Sequence, residues 1–204
     1  MNSENPLSPE NALNLLITGN LRFFENKPVH PNIDFIRRKN AVKGQSPYAV
    51  IVSCSDSRVP PEIIFDSGIG DLFIVRSAGS ILDSAGMGSI IYAVTHLECP
   101  LVVILGHESC GAIRTALLDD NELIHEPGAI IKLVEIIRDN IPESLNKKNI
   151  LENPIEQAVK ENIFNISDMI NEEPLIKNYV ETGKIMIKSA FYSLSTGKVN
   201  FFNR

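Results

Sequence analysis

Tyr48-Ala49-Val50-Ile51-Val52-Ser53-Cys54-Ser55-Asp56-Ser57-Arg58 joins an apolar run to a polar motif, and Leu101-Val102-Val103-Ile104-Leu105-Gly106-His107-Glu108-Ser109-Cys110-Gly111 repeats that arrangement. Both apolar runs are short, rich in β-branched residues and bounded by turn residues, which is typical of buried β-strands. The two polar motifs therefore follow the C-terminal ends of two strands. In an open α/β sheet, sites form at this edge. The sequence thus predicts an α/β fold with a functional site where these strands end.

The residue types in the two motifs favour a metal ion. Cys54, His107 and Cys110 form a Cys₂His donor set that suits zinc, and catalytic zinc takes three protein ligands and leaves a fourth position for water. The His-x-x-Cys pair is compact enough to chelate from one turn at the start of a helix. Asp56 could be a fourth ligand, or it could accept a hydrogen bond from the metal-bound water. Arg58 could hold the Asp56 carboxylate through two hydrogen bonds.

Each of these residues also has an interpretation without a metal. A Cys that closes a strand is more often a buried core residue than a ligand. A single His-x-x-Cys pair is weak evidence for a metal site. The prediction therefore depends on the coincidence of that pair with Cys-x-Asp-x-Arg at a second strand end. We expect the third cysteine, Cys99, to be a small buried apolar residue.

Taken together, the two motifs resemble the signature of the β-class carbonic anhydrases. Three further segments match that family in order and approximate spacing: Gly44-Gln45-Ser46-Pro47, Phe73-Ile74-Val75-Arg76 and Gly88-Ser89-Ile90-Ile91-Tyr92-Ala93-Val94. The resemblance is strong from about Gln45 to Leu118. It implies an enzyme that interconverts carbon dioxide and bicarbonate by a zinc-bound hydroxide. It also implies one Zn²⁺ per chain, held by Cys54, His107 and Cys110.

The resemblance assigns further residues to the substrate. Gln45 is expected to hydrogen-bond carbon dioxide or bicarbonate across a dimer interface, and Phe73, Ala78 and Tyr92 to line the pocket. Without the resemblance, Gln45 would be interpreted as a loop residue, Phe73 as a core residue and Tyr92 as a half-buried aromatic residue. Arg76, at the end of a predicted strand, fits a solvated or interface charge.

Asp56 and Arg58 carry the remaining implied roles. Asp56, fixed by Arg58, would orient the hydroxide by accepting its hydrogen bond. If Arg58 released it, Asp56 could bind the zinc and expel the water. Family members with a bicarbonate-regulated closed state resemble one another in a Trp three residues before the first Cys, where this chain has Ile51. We therefore expect an open site at neutral pH.

Two other functions remain compatible with the sequence. The same scaffold could hydrolyse carbonyl sulfide or carbon disulfide, since these linear substrates need the same hydroxide. The protein could also be a non-catalytic zinc protein, with Asp56 permanently closing a four-ligand site. Arg58 and Gln45 favour a catalytic site, because a purely structural one needs neither residue.

Composition limits the partners and the location. With 204 residues and 44% hydrophobic content, the chain can bury one substantial core, and we expect residues 1–204 to form a single domain. A net charge of −6 without a long basic run disfavours nucleic-acid and anionic-membrane partners. No segment approaches the about 18 uncharged apolar residues that span a bilayer. Residues 1–10 lack the features of a secretory signal, and the odd number of Cys favours the cytoplasm.

The predicted fold class is α/β, with a mainly parallel central sheet and flanking helices. We divide the chain into an N-terminal helical arm (1–40), a zinc-site core (45–118) and a helical segment that ends in a C-terminal antiparallel edge hairpin (119–204). In the arm, residues 8–24 have helical spacing after a Ser8 N-cap, and Gly19-Asn20 predicts a break or tight turn. The apolar face of this helix could pack on its own core or on a neighbouring subunit. The resemblance implies a homodimer or homotetramer.

Overall fold

A parallel sheet lies at the centre of the computed structural model, which describes residues 7–142, 145 and 153–203. Within these residues, five strands form one sheet in the order β2-β1-β3-β4-β5. The first four strands are parallel to one another, and β5 is antiparallel to β4. The mainly parallel sheet and the C-terminal antiparallel edge hairpin are therefore confirmed. The strands are β1 (Ala49–Cys54), β2 (Leu72–Ser77), β3 (Leu101–His107), β4 (Met186–Tyr192) and β5 (Val199–Phe201).

Helices connect the strands and cover the sheet. Helical spacing in the sequence predicts helices at residues 33–39, 85–97 and 111–118, and all three are present, with starts or ends that differ by a few residues. It also predicts a helix at 123–141, where the structure has a helix at 128–139; residues 124–127 are not helical, and residue 123 ends a separate short helix. The polar break that the sequence predicts at 144–149 and the start of the helix that it predicts at 152–171 lie outside the described residues, apart from residue 145. The helices in the described part are α1 (Pro9–Phe24), α2 (Phe35–Ala41), α3 (Pro61–Ile64), α4 (Ser84–His96), α5 (Gly111–Ala116), α6 (Asp120–Leu123), α7 (Gly128–Asp139), α8 (Pro154–Glu172) and α9 (Pro174–Glu181).

Alternate residues of the central strands pack on opposite faces of the sheet. Val50, Val52 and Ile104 belong to one apolar cluster, with side chains from α4, α8 and α9. Ile51 and Val103 belong to another, with side chains from α1 and α3. Because both faces are covered, these strands are apolar at nearly every position rather than alternating. Helices on both faces leave the strand ends as the accessible edge.

The first helix begins where the sequence predicts it. The Ser8 hydroxyl accepts a hydrogen bond from the Asn11 backbone N–H (3.2 Å), and Pro9 occupies the first helical position. Ala12 and Leu16 are fully buried in the cluster with α3. One face of α1 therefore packs on its own core, which is one of the two arrangements that the sequence allows for this helix.

The predicted break at Gly19-Asn20 is wrong, because α1 continues to Phe24. Gly19 lies against the α3 segment so closely that a Cβ there would be 1.9 Å from the Phe65 carbonyl oxygen. The buried Asn20 side chain donates to the carbonyls of Ile64 (3.2 Å) and Gly197 (2.9 Å). These two residues are thus packing and hydrogen-bonding contacts, not turn residues.

A buried carboxylate holds the connection after α1. Asp66 accepts hydrogen bonds from the backbone N–H groups of Val29 (3.0 Å) and His30 (2.9 Å) and from Arg22 Nε (2.5 Å). Burial acts to raise the pKa of Asp66, but the bonds from Val29, Arg22 and His30 outweigh it and keep that pKa below its usual value. The chain between α1 and α2 is therefore fixed to the loop after α3.

No helix among the described residues is both long enough and apolar enough to cross a lipid bilayer.

Replacing Gly19 with Ala should destabilise the protein, although Ala favours a helix by about 1 kcal/mol. The new methyl group would overlap a backbone carbonyl, which has little freedom to move, so we expect a net loss of about 1–3 kcal/mol. Gly128→Ala is the matched control, because a Cβ at this helical position meets no heavy atom within 4 Å. Chemical unfolding at one protein concentration checks both variants. Equal stability of the two variants would contradict the packing argument.

Candidate metal centre

Three donor side chains converge at the C-terminal edge of the sheet. Cys54 ends β1, His107 ends β3, and Cys110 is the N-cap residue of α5. β1 and β3 are adjacent and parallel, so their C-terminal ends meet. The two Sγ atoms are 4.0 Å apart, and the three potential ligand atoms all lie within 4.8 Å of one another. This cluster has the composition and spacing to hold a metal ion.

The hydrogen bonding of the His107 ring is compatible with a cation bound between this ring and the two thiols. Its Nδ1 lies 2.9 Å from the Glu108 carbonyl oxygen, which can only accept, so Nδ1 carries the proton. Nε2 then carries a lone pair, and it is buried without a hydrogen-bond partner among the described residues. Buried polar atoms are normally paired. A lone pair left unpaired beside two sulfurs is what a metal ligand requires.

The surroundings of Cys54 stabilise a thiolate. The neighbouring Cys110 thiol holds the pKa of Cys54 below its ordinary value against the effect of burial, and smaller lowering effects come from the His107 side chain and from the backbone of Asp56 and Gly79. The Asp56 N–H group lies 3.4 Å from Cys54 Sγ. By contrast, burial raises the pKa of Cys99 to about 12. Cys99 is fully buried, as the sequence predicts for a small apolar residue.

Asp56 is held by Arg58 rather than by the donor cluster. Arg58 Nε donates to Asp56 Oδ1 (2.9 Å) and Nη2 donates to Oδ2 (2.7 Å), and the Arg58 backbone N–H also reaches Oδ1 (2.9 Å). These hydrogen bonds keep the pKa of Asp56 well below its usual value. Nη2 also donates to the Ser109 carbonyl (3.3 Å). Arg58 therefore links the loop after β1 to the loop after β3.

The four pocket residues expected from the sequence do not all lie together. Ala78 opens a short 3₁₀ turn, and the next residue, Gly79, places its backbone beside Cys54. Phe73 on β2 and Tyr92 on α4 form a ring pair with centroids 6.4 Å apart. Phe73 packs against the cluster on the α4 face of the sheet and Tyr92 is about half exposed, whereas Cys54 and Cys110 belong to the cluster of α5 and α7. Gln45 is exposed in the segment before β1.

Two polar side chains that the sequence did not single out support the loops of the centre. The buried Asn162 of α8 donates to the Gly79 carbonyl (2.9 Å). The Glu108 carboxylate accepts from the Ser193 hydroxyl (3.1 Å) and the Ser195 N–H (2.9 Å) in the β4–β5 turn. Asn162 carried a signal, since it interrupts the apolar stripe of its helix. Glu108 did not, because its partners lie more than eighty residues further along the chain.

The comparisons with known proteins agree with this geometry. The family model described as carbonic anhydrase matches residues 49–199. Carbonic anhydrase 2 of Mycobacterium tuberculosis is 37% identical over 198 residues, which covers 97% of this chain and 93% of that protein. A carbonic anhydrase of Mycolicibacterium smegmatis is 44% identical over 143 residues, covering 69% of this chain and 67% of that protein.

Solved structures show the same fold. The β-carbonic anhydrase CcaA has a TM-score of 0.71 at 27% identity, and the match covers 93% of this chain and 87% of that one. A structure from Sordaria macrospora, described as one of two tetrameric β-carbonic anhydrases, has a TM-score of 0.73 at 23% identity, with 95% and 98% coverage. Since the family model matches residues 49–199 and the relative from Mycobacterium tuberculosis covers 97% of the sequence, the chain belongs to the β-class carbonic anhydrase family.

Proposed function

We propose that this protein hydrates carbon dioxide reversibly to bicarbonate and a proton, with a Zn²⁺ ion held by Cys54, His107 and Cys110. The observation that carries the proposal is the unpaired Nε2 of His107, which faces two sulfur atoms at the edge of a parallel sheet. Three protein donors of these types match a catalytic zinc site, which keeps one position for water. The relatives that carry the name carbonic anhydrase support the same reaction.

When bound, zinc supplies a Lewis acid that makes a coordinated water acidic near neutral pH, the behaviour for which zinc carbonic anhydrases are the standard example. The protein supplies the surroundings. Cys54 and Cys110 provide two negative charges against the dication. The Glu108 carbonyl fixes the ring of His107, so that Nε2 stays available. The attacking water is oriented by a nearby acceptor, for which Asp56 is the candidate.

Asp56 would accept that hydrogen bond while Arg58 holds its position. Each carboxylate oxygen has two lone-pair directions, and Arg58 takes two on Oδ1 and one on Oδ2. One direction on Oδ2 is therefore left for a water. Because Arg58 holds both oxygens of Asp56, these hydrogen bonds support a site that Asp56 does not close at neutral pH. The residue at the position of the regulatory Trp is Ile51, which is fully buried in β1.

We propose that a second copy of the chain completes the substrate pocket. Phe73, Tyr92 and Gln45 belong to the implied pocket, but Phe73 packs against a different cluster from the thiols of its own chain, and the ring of Tyr92 pairs with Phe73. Tyr92 is about half exposed. These residues would line the site of the partner, and Ala78 would line the site of its own chain. This arrangement requires a homodimer or a homotetramer built from such dimers.

The apolar surface of the N-terminal arm supports that assembly. α1 buries one face on its own core and leaves other apolar side chains exposed, and the segment that follows, including α2, also carries exposed apolar side chains. Large exposed apolar surfaces commonly mark interfaces. The tetrameric relative from Sordaria macrospora is consistent with self-association. The exposed side chains are Leu15, Ile17, Leu21, Phe24, Val29, Ile33, Phe35, Ile36 and Val42.

We also propose that residues 1–204 form one domain in a reducing compartment, the cytoplasm. The three described cysteines are free and buried, and two of them serve the metal site. The central sheet extends from residue 49 to residue 201. Any division of the chain between these residues would cut this sheet.

Purified protein should contain about one zinc ion per chain, and Cys110→Ser should lower that content strongly, because serine is a poor zinc ligand. Cys99→Ser is the matched control, since it replaces the third buried thiol outside the cluster. Elemental analysis after dialysis against a weak chelator measures the content. Equal metal loss in both serine variants, or no metal in active protein, would contradict the assigned ligands.

Asp56→Asn and Arg58→Ala should each lower kcat/KM for carbon dioxide hydration by about 100-fold or more, because the water loses its oriented acceptor. Asp120→Asn is the control, because Asp120 forms an Asp–Arg pair with Arg138 outside the donor cluster. Stopped-flow hydration provides the rates. Wild-type rates in both site variants would remove these roles.

Assays of the same purified protein distinguish the proposed reaction from the two alternative functions. Faster turnover of carbonyl sulfide or carbon disulfide than of carbon dioxide would favour the hydrolase. A zinc-loaded protein inactive on all three gases would favour the non-catalytic alternative.

A charge in the exposed apolar segment should disrupt the assembly. Ile36→Glu places a carboxylate at a side chain that is 67% exposed in one chain. Ile124→Glu is the matched control, because it does the same at a side chain that is 72% exposed but lies outside the N-terminal arm. We expect Ile36→Glu to shift the sedimentation coefficient to that of a monomer and Ile124→Glu to leave it unchanged. An unchanged assembly in Ile36→Glu, or a monomeric wild type, would overturn the proposed interface.

A further inference from the structure

Arg76 makes an unusual set of contacts at the end of β2. Its Nε donates to the Cys54 carbonyl (2.9 Å), and its Nη2 donates to the carbonyls of Asp56 (2.8 Å) and Val59 (3.2 Å). A single guanidinium therefore binds three backbone oxygens within six residues. Arg76 is exposed, as expected for a solvated or interface charge, but that expectation did not include these contacts.

The segment that Arg76 binds is the one that carries the chemistry of the centre. Residues 54–59 begin with the Cys54 thiol and continue through Asp56 and Arg58. After Cys54 the strand ends, and one further bond to β2 remains, from the Ser55 N–H to the Ser77 carbonyl (2.9 Å). Beyond that point, carbonyls that would otherwise face the strand edge need other donors. Arg76 supplies those donors.

The shape of the guanidinium matters more than its charge. Arginine carries five N–H donors in a rigid plane, and two of its nitrogens reach different parts of the loop here. A lysine ammonium is a single point on a flexible stem and cannot reproduce the separate contacts of Nε and Nη2. Replacement by lysine therefore keeps the charge and removes the geometry.

Within the described residues, the loop has a second attachment on its other side. Arg58 contacts the Ser109 carbonyl (3.3 Å) and so joins the loop to the turn before Cys110. Arg76 fixes the same loop to β2. The position of Cys54 Sγ relative to Cys110 Sγ, and the position of the Asp56 carboxylate relative to both, depend on these two attachments. Arg58 belongs to the site itself, whereas Arg76 acts from the neighbouring strand.

We propose that Arg76 is a positioning residue that sets the geometry of the metal-binding loop and, through the loop, the affinity for the metal and the orientation of Asp56. The effect on the metal follows from the donor cluster, while the effect on carbon dioxide hydration rests on the proposed function. Residues that orient metal ligands from outside the ligand set typically change affinity by about 10- to 100-fold when replaced.

The test uses full-length Arg76→Lys and Arg76→Gln beside wild type. Arg138→Lys is the matched control, because Arg138 also donates to two backbone carbonyls, those of Ala116 (2.9 Å) and Leu118 (2.5 Å), outside the loop. Apoprotein is titrated with zinc against a chromophoric chelator to give the dissociation constant. Cobalt-loaded protein is examined by visible absorption, which reports the geometry of the thiolate ligands. Thermal unfolding of each apoprotein measures general stability.

We expect both Arg76 variants to raise the zinc dissociation constant by about tenfold or more and to alter the cobalt spectrum. Arg138→Lys should lower the melting temperature without either change. Wild-type affinity and spectrum in Arg76→Gln would overturn the proposal. So would full rescue in Arg76→Lys, because charge alone would then suffice.

Carbon dioxide hydration is measured last and separates the two proposals. If wild type binds zinc but does not hydrate carbon dioxide, the proposed function fails and the affinity and spectral results still decide the role of Arg76. If wild type is active, we expect the Arg76 variants, fully loaded with zinc, to show kcat lowered by about tenfold or more, since small displacements of reacting groups are costly. An unchanged kcat at full loading would overturn the part of the proposal that concerns Asp56.

Discussion

The parallel pairing of β1 with β3 is the constraint on which the candidate metal centre depends. Val50 pairs with Val102 and Ser53 with Leu105, so the two strands reach the same edge of the sheet in register. A shift by one residue would turn Cys54 toward the opposite face. Burial of both sheet faces prevents such a shift, because each strand position already has an apolar partner. The core therefore sets the distance between the donor residues.

The loops after these strands need support that the sheet does not give. Both loops leave the hydrogen-bonding ladder. Arg76 from β2 binds the backbone of the loop after β1, the Glu108 side chain ties the loop after β3 to the β4–β5 turn, and Asn162 from α8 binds the neighbouring turn after β2. Hydrogen bonds to charged groups are short and directional. They hold the loops without using the side chains of the donor cluster.

Much of the fold could be predicted from the sequence, because β-branched runs and helical spacing are local signals. The ends of the two runs also indicated which thiols and imidazole would meet. Gly19-Asn20 was misinterpreted because glycine marks both turns and close contacts, and only the position of Phe65 decides between them. α9 was not predicted, since eight residues carry little periodic signal. The role of Arg76 could not be predicted either, because its partners are backbone carbonyls, which every residue has.

The substrate pocket illustrates a different limit. Gln45, Phe73 and Tyr92 are assigned to the proposed pocket by the resemblance, yet a single chain places Phe73 in another apolar cluster from the thiols. Sequence spacing contains no information on which copy of a chain faces which. The exposed apolar side chains of α1 and α2 support the proposed assembly, because they do not pack in the core of their own chain.

Asn20 has a consequence for how the chain folds. Its side chain bonds the Gly197 carbonyl and accepts from the Val199 N–H, so it closes loops of 177 and 179 residues. During synthesis, α1 leaves the ribosome long before the hairpin that receives it. Closing so long a loop has a large entropic cost and slows folding. The Asn20 side chain therefore stays without these two partners through most of translation, and the last contacts of α1 form only when the C-terminal hairpin has left the ribosome.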